Sequence, residues 1–136
     1  MSILIDTSLW VDFSRIKSPP FLKRFINPYL YSPDAVLVEP IAFEVTRLAH
    51  FDGQPILQKL FEETPLLRTP PILWTDAADL GQRCRRAGIA AGSLDLLIAA
   101  AAIHHQLTLV TFDQDFLQLA SLSTLQVNLL QKPSPA

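Results

Sequence analysis

Apolar positions along the chain fall into two alternating kinds of run. Short aliphatic runs at Ser2–Ile5, Ala35–Val38 and Thr108–Val110 read as buried strands of a parallel sheet, and Leu125–Leu129 as a last strand. Leu66–Arg68, caught between Pro65 and Pro70, reads as an edge strand, because proline cannot feed a central ladder. Between these runs the apolar residues recur at helical spacing. Helices are predicted over Leu9–Phe13 with Thr7 or Ser8 as cap, over Phe21–Ile26 ending at Asn27-Pro28, and from Pro40 with Glu39 as cap. Further helices are predicted over Pro55–Glu63, over Ile72–Ala87 up to Gly88, and over Phe116–Ala120.

The stretch that organises the rest is Gly92-Ser93-Leu94-Asp95. Gly92 stops what precedes it, Ser93 is suited to cap a helix, and Asp95 falls in the first turn, where free N–H groups and the helix dipole favour an anion. From Leu96 to Ile103 no residue is charged, so this helix belongs inside the domain. The order of elements predicts an α/β fold: a three-layer α/β/α sandwich with a largely parallel central sheet of four to five strands. Residues 1–131 are expected to form one domain and 132–136 a loose tail.

Composition narrows the class. With 49% hydrophobic residues the chain can bury a substantial core, and a formal net charge of −2 excludes a grossly basic nucleic-acid binder while leaving room for local basic patches. Cys84 is the sole cysteine and has no metal-ligand spacing around it; it reads as a small core or helix-surface residue in a reducing compartment. No leader opens the sequence and no apolar stretch is long enough to span a bilayer, so a cytoplasmic location is expected.

Chemistry enters with four acids. Asp6 and Asp113 follow the first and fourth strand runs, Asp95 opens the apolar helix, and Glu44 lies one turn inside the helix after the second strand. Singly, each has an ordinary reading: Asp6 a cap, Glu44 a surface partner of Arg47. Together they stand where an open parallel sheet gathers its ligands, at the carboxyl ends of the strands. Carboxylates drawn together stay ionised only if a cation offsets their repulsion. Oxygen ligands without a histidine or cysteine partner point to Mg²⁺ or Mn²⁺, and such a site supports phosphodiester hydrolysis. His50, His104 and His105 lack metal-motif spacing and read as helix-end or surface residues. A phosphotransferase of the haloacid-dehalogenase type would need an acid at Ser8, and a receiver-type domain an acid pair after the first strand and a lysine after the last.

In these residues the chain resembles a PIN-domain ribonuclease of the VapC type, the toxin of toxin–antitoxin modules. The carriers are Ile3–Asp12, Glu44, Ser93–Ala100 and Leu109–Phe116. The resemblance implies that Asp6, Glu44, Asp95 and Asp113 are catalytic, metal-binding acids, with Asp115 replacing or assisting Asp113 and with Thr7 and Thr111 as supporting hydroxyls. It implies metal-dependent endonucleolytic cleavage of RNA, a homodimer, and a cognate antitoxin that occludes the cleft. RNA affinity would draw on Arg15, Lys17, Arg83, Arg85 and Arg86, which read equally well as solvated faces. The competing reading is a PIN-fold module that binds RNA or protein without catalysis; the presence of all four acids argues against it. Phe21–Phe25 and Phe61–Leu67 fit either a core or a partner's groove.

Overall fold

Ile3–Ile5 (β1) lies at the centre of a five-stranded parallel sheet in the structure, a computed structural model that describes residues 1–135. The other strands are Ala35–Val38 (β2), Leu66–Leu67 (β3), Thr108–Thr111 (β4) and Gln126–Leu129 (β5), in the order β3-β2-β1-β4-β5. Seven α-helices connect them among the described residues: Thr7–Ser14 (α1), Pro20–Leu30 (α2), Glu39–Leu48 (α3), Gln54–Glu63 (α4), Ile72–Arg86 (α5), Ser93–His104 (α6) and Asp115–Ser121 (α7). Every residue of β2 is buried, as a strand covered on both faces must be. The two-residue β3 sits at an edge, where the flanking prolines put it.

Strand order fixes where a cleft can form. From β1 the chain builds outward through β2 to β3, then returns to the other side of β1 to add β4 and β5. The connections therefore leave β1 and β4 in opposite directions, which opens a crevice at the carboxyl ends of these two neighbours. Ile5 pairs with Val110 across it, so the residues that follow, Asp6 and Thr111, come side by side.

Beneath the crevice the sequence packs tightly. Trp10 of α1 is fully buried, donates its indole N–H to the Ile5 carbonyl at 3.0 Å, and meets Phe61 of α4 edge-on at 5.4 Å. Ile98–Ala102 of α6 are buried, and their small side chains let α6 run close to its neighbours. Gly81 of α5 helps: a Cβ there would lie 2.9 Å from Leu96 Cδ1, so the missing methyl lets the two helices seat the turn that carries Asp95. Cys84 is buried in the same core.

Several element boundaries differ from the sequence reading, each for a local reason. Asp6 itself caps α1, accepting the Thr7 amide, so neither Thr7 nor Ser8 serves. Ser93 is the first residue of α6 rather than its cap; Gly92 takes the cap position and offers no side chain. Glu39 is likewise helical, after Val38. α2 runs through Pro28 to Leu30 instead of stopping at Asn27-Pro28, because buried Ile26 and Leu30 keep its last turn on the core. Lys132, expected in a loose tail, places its ammonium 3.4 Å from Asp12 and 5.4 Å from the Phe112 ring centre; Ala136 lies outside the described residues.

Candidate active site: carboxylates at the carboxyl edge of the sheet

A continuous chain of hydrogen bonds runs along the carboxyl edge. Asp6 follows β1 and is only 7% exposed. Its amide donates to the Val110 carbonyl at 2.9 Å, which fixes it against β4. Its two carboxylate oxygens then accept from different elements: Oδ1 from the Thr7 amide at 2.8 Å, Oδ2 from the Thr111 hydroxyl at 2.6 Å. Thr7 donates its own hydroxyl to Glu44 Oε1 at 2.5 Å, tying α1 to α3. On the other side Thr111 Oγ1 accepts the Asp113 amide at 2.9 Å, and Asp113 Oδ1 accepts the Asp115 amide at 2.9 Å. Three acids and both threonines picked out by sequence thus belong to one network. Glu44 spends its contact on Thr7; the ion pair with Arg47 does not form.

Asp95 faces this network from α6. It lines a recess of about 70 Å³ with Asp115 and the Ile89–Gly92 loop. Burial first, then the negative charges of Asp6, Glu44, Asp113 and Asp115, push its carboxyl up from 3.8 to about 6. Asp6 is also raised by burial; the hydrogen bonds from Thr111 and Thr7 work against this, while Glu44 and Asp113 add to it. Among the described residues the salt bridges are Arg68–Glu39 and Lys132–Asp12, neither of which involves these acids. Among the described residues, no side-chain cation pairs with the cluster's negative charge.

That imbalance is the test of whether a metal fits. Oxygen-only donors, strained by mutual repulsion, match a hard divalent cation and no softer metal. No three of the described carboxylates lie at metal-ligand distance of one another: both oxygens of Asp6 and one oxygen each of Glu44 and Asp113 are turned to protein donors. Repulsion between like charges acts in the same direction.

The basic residues are distributed unevenly about the site. Arg83, Arg85 and Arg86 end α5, next to the Ala87–Gly92 loop that leads into the Asp95 turn; Arg83 also donates to the Leu122 carbonyl at 2.6 Å. Arg15 and Lys17 lie beyond the other end of α1 from Asp6, roughly 13 Å along its axis. The Lys132–Asp12 pair and the exposed aromatics Phe43 and Trp74 were not singled out by sequence reasoning. Helical spacing gives a face, but not whether a neighbour covers it.

Comparison with known proteins bears on the family and the fold. A model of the PIN domain matches residues 3–122. The chain is 35% identical over 130 residues to the VapC ribonuclease Mb1587 of Mycobacterium bovis, spanning 91% of this chain and 96% of that protein. Ribonuclease VapC11 of Mycobacterium tuberculosis matches with the same figures. Among solved structures, VapBC2 from Rickettsia felis, bound to a promoter DNA fragment, superposes with a TM-score of 0.76 at 18% identity, covering 96% of this chain and 100% of that one. DNA-bound VapBC from Salmonella typhimurium gives 0.74 at 16%, covering 94% and 97%. At these identities the structures speak for the fold.

Proposed function

The chain belongs to the PIN-domain family, and on that premise we propose that it is a metal-dependent endoribonuclease, the toxin of a toxin–antitoxin pair. The observation that carries this reading is the Glu44–Thr7–Asp6–Thr111–Asp113 network with Asp95 facing it, an acid cluster at the switch point of a parallel sheet. Asp6, Glu44, Asp95 and Asp113 are the acids that would hold Mg²⁺ or Mn²⁺. Asp115, whose amide binds Asp113 and whose side chain shares the recess with Asp95, assists from the rim. When bound, such a cation activates water and offsets the charge that builds on the phosphate.

The chain's own residues do the rest. Thr111 and Thr7 orient the acids by donating to both oxygens of Asp6 and to one of Glu44, leaving the remaining lone pairs for a cation. The acids themselves repel a bare phosphodiester, a repulsion that a bound cation would offset. Single-stranded RNA suits an edge cleft of this kind better than duplex, which hides its bases. Arg83, Arg85 and Arg86, at the neighbouring end of α5, would meet the strand; Arg15 and Lys17 would serve a longer substrate.

A protein partner is supported by the relatives' VapBC complexes and by the surface. Between α3 and α4 lies an apolar groove of about 630 Å³, lined by Val45, Ala49, Leu57 and Phe61, of a size to take an amphipathic antitoxin segment. Phe61 packs on Trp10 and also lines this groove. We read the active form as a cytoplasmic homodimer of one domain spanning residues 1–131; no helix of the described residues is long and apolar enough to cross a membrane.

The test is cleavage of a mixed RNA pool by purified protein in Mg²⁺ or Mn²⁺, beside Asp6→Asn, Asp95→Asn and an EDTA control. Cleavage that needs metal and disappears in both variants is expected. Metal-independent cleavage that survives both substitutions would overturn the reading.

A further inference from the structure

The C-terminal segment crosses the same carboxyl edge and puts a cation there. Leu130 carries the β4–β5 ladder one step beyond β5, its amide donating to the Thr111 carbonyl at 2.8 Å. Thr111 thus holds this segment with its backbone and Asp6 with its hydroxyl. Residues 129–132 and the turn at 112–114 then wall a cleft of about 530 Å³, lined both by Asp113 of the acid network and by Lys132. By contrast, no basic residue among those described lines the recess at Asp95.

The lysine is positioned without being closely neutralised. Its ammonium lies 5.4 Å from the centre of the Phe112 ring, which stacks on Phe25 at 6.2 Å, and 3.4 Å from Asp12 Oδ2. That last distance exceeds the roughly 2.7–2.9 Å of a charge-assisted hydrogen bond, and Asp12 Oδ2 takes no hydrogen bond among the described residues. The lysine side chain stays 57% exposed, so its N–H donors remain open to the cleft. An ammonium on a flexible stem is a point charge that suits a phosphate oxygen. Lys132 shares the cleft with Asp113 yet forms no ion pair with it, so the hollow between them has room for one more unit of a strand.

We infer that Lys132 is a substrate-positioning residue, whose ammonium binds the RNA phosphate next to the scissile one and guides the strand past Asp113. A strand drawn to an acidic edge needs a cation on its path, and this one stands beside the acids without pairing with them. Because the contact is made to the backbone, it sets the strand's register and reads no base. This deepens the ribonuclease reading and rests on it.

Initial rates of cleavage of a single-stranded RNA by the full-length protein in Mg²⁺, taken over a series of salt concentrations, provide the test. Lys132→Ala is expected to raise KM roughly three- to tenfold with kcat near its starting value, and to flatten the slope of log kcat/KM against log salt by about 0.7. Lys132→Arg keeps the charge and restores both. Lys59→Ala makes the same change in net charge at an exposed position of α4 and alters neither. Asp12→Asn frees the ammonium for phosphate and is expected to lower KM. Cleavage by Lys132→Ala with unchanged KM and unchanged salt slope overturns the inference while leaving the ribonuclease standing. So does a rise in KM that Asp12→Asn reproduces, which would make the pair a strap for the C-terminal segment. If the unsubstituted enzyme cleaves no RNA in any metal, the ribonuclease reading falls, and this inference with it.

Discussion

The groove between α3 and α4 and the recess at Asp95 are opposites in size and lining. The groove measures about 630 Å³ and its floor is Val45, Leu57 and Phe61; the recess measures about 70 Å³ and is edged by Asp95 and Asp115. Volume follows from helices splayed apart, which makes room for another chain's side chains. Reactivity follows from charge concentrated where strands end, and this needs little room. Burial and four acidic neighbours raise the carboxyl of Asp95 to about 6, which sets the smaller region apart in charge. Separating the two by mutation is the natural way to test the division.

The largest effect is expected at the acids. Asp6→Asn and Asp95→Asn should each lower RNA cleavage by roughly 10²-fold or more, measured as initial rate in Mg²⁺, with antitoxin affinity at the groove unchanged. Next comes a residue that supports them. Thr111→Val keeps the shape of a fully buried side chain but strips Asp6 Oδ2 of its hydroxyl donor. Metal affinity by calorimetry should fall about 10- to 100-fold, and denaturant melts should show a loss of about 1–3 kcal/mol for the unsatisfied oxygen. On the groove side, Ala49→Arg should weaken antitoxin binding about tenfold, by fluorescence anisotropy, and leave the cleavage rate as it was. If both activities fall together in any of these variants, the two regions are not separate.

The smallest effect is in pH. A carboxyl raised from 3.8 to about 6 in the folded state costs stability as it ionises. The metal-free protein therefore loses stability as pH rises from about 4 to about 6, and is relieved below that window. Bound cation cancels this cost, so the rise in Tm on adding Mg²⁺ should be a few degrees larger at pH 7 than at pH 5, read by thermal melts. A rise that is equal at both values would detach Asp95 from the metal.

How much of this was legible in the sequence differs between the same two regions. The aliphatic runs at Ile3, Ala35 and Thr108 dictated buried parallel strands, and acids directly after such runs pointed to the carboxyl edge. What spacing did not carry was the pairing: that Thr7 would spend its hydroxyl on Glu44, or that the register of β1 on β4 would lay Thr111 against Asp6, are facts of tertiary contact. Caps were misplaced by one residue at Thr7, Glu39 and Ser93 because a helix start is set by backbone geometry: Asp6, Val38 and Gly92 take the extended cap position, the last two with no side-chain cap bond. The groove was half visible. Phe61 was apolar at helical spacing, but whether its face meets the core or a partner depends on the angle between α3 and α4.

The central claim is that Asp6, Glu44, Asp95 and Asp113 close around a divalent cation. An anomalous-scattering map from crystals grown with Mn²⁺ tests it most directly. The account predicts a peak within bonding distance of at least Asp6 and Asp95, with Glu44 or Asp113 completing the shell through protein oxygen or water. A well-ordered site with those carboxylates in view and no peak among them, or a peak held elsewhere on the molecule, would contradict it.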